Sequence, residues 1–319
     1  MIEAFTTAFT GIFTAVIQVF LIALGACLLV RKNIITSENI TSLSAVTINV
    51  LLPCLIFSQI TRSFDPAALR IWPVLPLAAV IMVFVGLAFA AMLFLRELHA
   101  KKDMLALASI QNAAYFVLPL GKVLYPDRFD EFALYCFLFV LGISPVLWTV
   151  GKYLATSSGY GRPTVKELIT PPFAANVLAI VCVFTRTNKL IPGVLSDSMY
   201  LLGSATVPIA LFIMGAILGG VKFRLTGYWL DAIKAISTKL IFIPAVTVTV
   251  LYCVELKKSF PIMADLLVIQ AAAAPAAALL IQIRHYGGNE QKAGSIILAD
   301  YVLCLFTVPF WLALFRSLG

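Results

Sequence analysis

Gln111, Asn112 and Tyr115 lie close together in an otherwise apolar run, a few positions before Pro119, and Gln270 holds a comparable place before Pro275. Amide and phenol groups offer hydrogen bonds without carrying charge. A proline inside an apolar helix removes one backbone donor and clashes with the carbonyl four residues before it, so the helix kinks or unwinds there. The freed backbone groups can be satisfied only inside protein or beside a water-filled cavity, and the N-terminal ends of the half-helices favour anions. Such residues beside a break can therefore hold a small polar or anionic molecule. The blander role is a simple kink with amides as interhelical glue. For one segment that role is the stronger reading, but matched placement in two segments favours a binding site. The candidate binding residues are Gln111, Asn112, Tyr115, Gln270 and Asn49, with Pro119 and Pro275 marking the breaks.

Two charges fall inside apolar stretches, Lys239 and Asp300. Each sits nine or ten residues into its helix, which at the helical rise puts both roughly 15 Å deep from the same face. A charge at that depth costs about 3 kcal/mol or more unless it is paired or hydrated. The two residues are expected either to form a structural ion pair or to act as a substrate counter-charge or proton relay.

The elements that position these groups follow from a repeat. Pro53 and Pro119 are 66 residues apart, and Pro208 and Pro275 are 67 apart. Pro53-Cys54-Leu55-Ile56-Phe57 aligns with Pro208-Ile209-Ala210-Leu211-Phe212, and the offset between halves is 155 at one proline and 156 at the other. Hydrophobic residues make up 61% of the chain and charged residues 12%, about half the charge of a soluble domain. Apolar runs of helix-spanning length fill the sequence, and they lack the polar alternation of a membrane β-barrel. The expected spans are 9–30, 40–60, 71–95, 103–124, 129–153, 166–184, 196–219, 229–254, 261–283 and 291–316.

Five spans per half is an odd number, so the second copy inserts upside down. The expected fold is an all-α integral membrane protein of ten transmembrane helices, arranged as two inverted five-helix repeats with broken helices 4 and 9. The repeats cover 1–155 and 166–319, joined by a connector at 156–165. Connections after odd-numbered spans hold 12 Lys or Arg residues and the opposite side holds 9. That bias puts the connector in the cytoplasm and both termini outside a cell membrane.

The net charge of +8 sits in short loops and implies no nucleic-acid partner. The first 20 residues lack Lys and Arg, so no cleavable signal is expected. Six cysteines are scattered through apolar segments without a CxxC pair. They read as small packing residues, with no disulfide, metal or cofactor expected. The spans hold no aspartate pair, Ser/His pair or His-Glu zinc motif, which disfavours an intramembrane enzyme. No stretch would fold as the soluble signalling domain of a membrane sensor.

Asn112-Ala113-Ala114-Tyr115-Phe116-Val117-Leu118-Pro119-Leu120 resembles the Asn-x-x-aromatic…Pro-Leu stretch of the auxin efflux carrier family, which includes plant carriers and bacterial malonate and malate carriers. Asn49–Phe57, Val207–Ala216 and Thr307–Leu312 resemble the family's second, seventh and tenth spans, in the same order along the chain. The resemblance implies a scaffold of helices 1, 2, 6 and 7 and a transport unit of helices 3–5 and 8–10. Helices 4 and 9 would cross at their prolines, and the transport unit would move substrate by an elevator-type shift. Gln-Asn-Ala-Ala-Tyr stands where plant carriers have Asn-Pro-Asn-Thr-Tyr, and the connector is short; the bacterial carboxylate carriers are the nearer match. The expected function is secondary transport of a small organic anion such as a mono- or dicarboxylate, with protons as a possible coupling partner and a homodimer through the scaffold helices. A sodium-coupled symporter of the bile-acid type is the alternative. The alanine-rich stretch around Pro275 offers such an ion only backbone carbonyls.

Overall fold

The computed structural model describes residues 2–155 and 169–318. The expected connector at 156–165 lies outside the described residues. Among the described residues, twelve helical elements of eight residues or more follow one another: α1 (Ile2–Arg31), α2 (Ser37–Ser63), α3 (Val74–Leu93), α4 (Lys102–Ser109), α5 (Val117–Leu124), α6 (Pro126–Ala155), α7 (Pro171–Phe184), α8 (Gly193–Gly219), α9 (Trp229–Cys253), α10 (Pro261–Ala272), α11 (Ala277–His285) and α12 (Glu290–Ser317). Seven of them, α1, α2, α3, α6, α8, α9 and α12, are long and apolar enough to cross a membrane, and α7 and α10 are shorter apolar helices. The chain is thus a multi-pass, all-helical membrane protein among its described residues.

Helix starts are set by local chemistry. Thr36 and Asn39 form a reciprocal cap at α2, Thr170 precedes the Pro171-Pro172 start of α7, and Asn289 accepts from the Lys292 N–H at α12. These groups satisfy N–H donors that no earlier turn can reach. Three long helices contain a widened π-turn: Thr47–Leu51, Leu147–Gly151 and Thr238–Phe242. Each lies beside a proline, Pro53, Pro145 or Pro244, whose missing N–H and ring clash disturb the regular ladder.

Packing joins α1 to α8, and α2 to both α7 and α8. A second set of contacts joins α3 to α4 and α6, and α10 to α9 and α12. Lipid tails are as apolar as leucine, so close backbone approach matters more here than burial. A Cβ at Gly215 would strike the Ala23 backbone carbonyl, and one at Gly142 would strike that of Pro76. These two glycines let α8 meet α1 and α6 meet α3. Aromatic rings seal the α1–α12 contact, with Phe13 tilted on Phe306 and Phe5 edge-on to Phe310.

Charged groups gather at the two ends of the second set. At one end Asp231 of α9 meets Lys101 at 2.6 Å and Lys292 at 3.0 Å. The hydrogen bond to Asp231 holds the Lys101 ammonium above its ordinary pKa. At the other end Arg316 meets Asp265 at 2.7 Å, and Tyr125 hydrogen-bonds to both.

Candidate functional site

Two interruptions carry the site. The first separates α4 from α5 at residues 110–116, and the second separates α10 from α11 at residues 273–276. Ile110, Ala273 and Ala276 have extended backbones, so the chain leaves the helical path there, although the Ile110 N–H still donates to the Ala106 carbonyl. The two interruptions lie antiparallel, with Gln111 opposite Pro275. The Asn112 N–H donates to the Ala274 carbonyl at 2.8 Å, and the Ala276 N–H donates to the Ile110 carbonyl at 3.1 Å. Each break thus satisfies groups that the other has freed, which an apolar surrounding requires.

The sequence placed both breaks at prolines, and one placement is corrected. Pro275 lies inside its break, whereas Pro119 is the third residue of α5. A first-turn proline is tolerated because its missing N–H has no helical partner anyway. The backbone therefore leaves the helix earlier, at the Gln-Asn-Ala-Ala-Tyr stretch.

Side chains brace the crossing. Asn112 Nδ2 donates to Tyr301 Oη at 2.5 Å, and its Oδ1 accepts from the Tyr115 N–H at 3.1 Å. Tyr301 Oη in turn lies 3.4 Å from the Pro275 carbonyl. Gln270 Nε2 donates to the Ala113 carbonyl at 2.9 Å. Cys136 donates to the same carbonyl, and Cys304 to that of Ala272. These two cysteines are more than packing residues: their weak S–H donors serve carbonyls that the breaks expose. Tyr301 was not among the sequence candidates. Its signal was a phenol beside Asp300 in an apolar helix, where a buried hydroxyl needs a partner.

Gln111 and Tyr115 differ from these braces. Gln111 Oε1 faces Lys239 Nζ at 3.5 Å, while among the described residues the donors Gln111 Nε2 and Tyr115 Oη have no partner, nor has the acceptor Gln270 Oε1. Lys239 sits on the third π-turn, fully buried, and Trp311 Nε1 takes up the Leu240 carbonyl of that turn at 2.8 Å. Asp300 is also buried, and among the described residues neither carboxylate oxygen has a hydrogen-bond partner. Of the two roles expected for Lys239 and Asp300, the direct ion pair is not formed: among the described residues, they do not approach within salt-bridge distance. Lys239 instead extends to the first break. Asn49 is corrected too. It is exposed, and its Nδ2 donates to the Ala45 carbonyl of its own helix. The cavity-facing row on α2 is Ser44, Ile48 and Leu52, so Asn49 is turned roughly 100° from Ile48 about the helix axis.

A cavity of about 190 Å³ opens beside the crossing. Gln111, Asn112 and Tyr115 form one wall, and Ala276, Ala277 and Ala278 at the start of α11 form another. Leu52, Ile143, Trp148, Ile213 and Ile281 make the rest largely apolar, with Ser44, Ser144 and Thr170 as polar additions. No Lys, Arg, Asp or Glu lines it among the described residues. Gln270 lies behind this wall. A larger groove of about 580 Å³ runs between the ends of α9 and α12, but no residue of either break reaches it.

Such a cavity can hold a small molecule with an apolar body and a group that accepts hydrogen bonds. Two helices, α5 and α11, begin at it, and their N-terminal ends contribute positive potential without a charged side chain. Residues 11–312 match the family described as membrane transport protein. Over 289 residues, the chain is 22% identical to an uncharacterized transporter of Methanocaldococcus jannaschii, covering 88% of this chain and 91% of that protein.

Proposed function

The chain belongs to the auxin efflux carrier family of membrane transport proteins, and on that premise we propose that it is a secondary carrier of a small organic anion. The reading rests on one observation above others: two interrupted helices meet beside a cavity that has unpartnered donors on Gln111 and Tyr115. In this reading the ten expected spans form two inverted five-helix repeats. Helices α1, α2, α7 and α8 are the scaffold, and α3–α6 with α9–α12 move as the transport unit. The odd-numbered connections face the cytoplasm, both termini lie outside, and a homodimer forms through the scaffold.

The substrate is a carboxylate held by neutral donors and helix ends. A dicarboxylate would place a second charge against an apolar wall with no cation to meet it, at a steep desolvation cost. A monocarboxylate with an apolar body suits Trp148, Ile143 and Ile213 better. Protons are the coupling partner, with Asp300 and Lys239 as the groups that carry them. The sodium-coupled alternative needs several converging oxygens. The carbonyls of Ile110, Ala113, Ala272 and Ala274 already accept hydrogen bonds at the crossing, which disfavours it.

Uptake into proteoliposomes tests the proposal. Monocarboxylates and malonate would be offered with and without sodium and with and without a pH gradient. Uptake of a monocarboxylate that responds to the pH gradient and ignores sodium is the expected result. Sodium-dependent uptake would favour the symporter reading, and no uptake of any carboxylate would overturn the anion assignment.

A further inference from the structure

Gln111 and Asn112 are adjacent, buried amides on the same break, yet their side chains are committed differently. Both polar atoms of Asn112 are engaged within the protein, to Tyr301 and to the Tyr115 N–H. Only the carbonyl end of Gln111 is engaged, with Lys239 Nζ at 3.5 Å. A lysine ammonium donates and cannot accept, so of the two faces of an amide it tolerates only the oxygen. The opposite orientation would set the Gln111 NH₂ group against a positive charge in a buried, low-dielectric place. The ammonium therefore leaves Nε2, an unpartnered donor on a residue that lines the cavity, at the far end of the amide.

We infer that Lys239 is a positioning residue that fixes the Gln111 amide donor-outward, and that this fixed orientation makes the site select a carboxylate over its uncharged amide. The inference rests on the carrier reading given above and deepens it. Lys239 does not line the cavity, so its charge reaches the ligand through the orientation of Gln111 and not through contact. A freely turning Gln111 would present a donor or an acceptor with equal ease. By itself it would then favour neither an acid nor its amide.

Titration calorimetry on the purified full chain tests this, with phenylacetate, hexanoate and malonate as acids and phenylacetamide and hexanamide as uncharged counterparts. The wild-type protein is expected to prefer an acid over its amide by about tenfold or more. Lys239→Met, combined with Asp300→Asn so that no lone charge is stranded, should lower that ratio several-fold, to what the helix ends alone supply, as expected when the amide can turn freely. Lys239→Arg should keep it. Gln111→Glu retains a partner for Lys239 but replaces the outward donor with a carboxylate oxygen, so the preference should reverse toward the amide. A merely structural role for Lys239 would lower all affinities together and leave the ratio intact; that result, or a wild-type preference in Gln111→Glu, overturns the inference. Should the double variant fail to fold, Gln111→Glu decides alone. A wild-type protein that binds none of the acids sinks the carboxylate reading, and this inference with it. Normal binding with unchanged ratios in the variants sinks only the inference.

Discussion

The two breaks solve one backbone problem with opposite chemistry. The first, at residues 110–116, carries Gln111, Asn112 and Tyr115; the second, at residues 273–276, is three alanines and Pro275. The first supplies its own brace, since Asn112 reaches both Tyr115 and Tyr301. The second has no polar side chain, so neighbouring elements serve it: Cys304 donates to the Ala272 carbonyl next to it, and Tyr301 to the Pro275 carbonyl inside it. Even Gln270, on the second half, donates across to the Ala113 carbonyl of the first. The two breaks therefore share a backbone device, while the polar side chains are concentrated on one side. A crossing of this kind can be symmetric in strain and asymmetric in recognition.

The largest expected effect tests whether the charges behind the breaks belong to one compartment. Lys239 reaches the first break, and Asp300 adjoins the tyrosine that ties both. Among the described residues each lacks an ion-pair partner within contact distance, so removing either leaves the other buried without even a nearby opposite charge. Lys239→Met and Asp300→Leu should each destabilise by about 3–5 kcal/mol, and the double variant should recover much of it. Thermal unfolding in detergent measures this; additive losses would show that the two charges do not sense each other.

Next come the braces. Asn112→Ala leaves Tyr301 without its amide partner and frees the Tyr115 N–H, and Gln270→Ala strips one donor from the Ala113 carbonyl. Each should cost about 1–3 kcal/mol of stability as well as weakening binding. Binding that falls with no change in unfolding temperature would make them direct ligand contacts instead.

The two prolines should then separate. Pro275→Ala restores an N–H inside the break and relaxes it toward helix, so uptake into proteoliposomes should drop sharply. Pro119→Ala acts within the first turn of α5 and should change stability by less than about 1 kcal/mol with uptake retained. Equal loss from both would return the first break to Pro119.

Asn49→Ala should have the smallest effect, within about 0.5 kcal/mol and without change in binding, because the side chain is exposed and bonded to its own helix. A clear loss of binding would put Asn49 at the ligand after all.

Much of the site was legible because it depends on local rules. The prolines, the amides and the apolar spacing mark where a helix cannot continue, and those constraints act within a few residues of chain. The break before Pro119 was displaced in the reading because a proline says only that the helix is disturbed nearby. A first-turn position satisfies it as well as an interior one. Asn49 follows directly on Ile48, which meets the cavity, but one residue along a helix is a turn of about 100°, so closeness in sequence does not put it on that row.

By itself the sequence determined the membrane-embedded helical character, the two segments in which a helix is interrupted and most of the polar groups beside them. Composition, apolar length and backbone chemistry are properties of the chain read in order. Only the tertiary structure decided which of those groups stay available. Asn112 and Gln270 are taken up by Tyr301 and the Ala113 carbonyl, Lys239 turns to Gln111 and not to Asp300, and Gln111 and Tyr115 keep unpartnered atoms. A hydrogen bond is made between groups that meet in space, often more than 100 residues apart in the chain, as Asn112 and Tyr301 are at 189. Which of several equivalent amides finds a protein partner is fixed by that meeting.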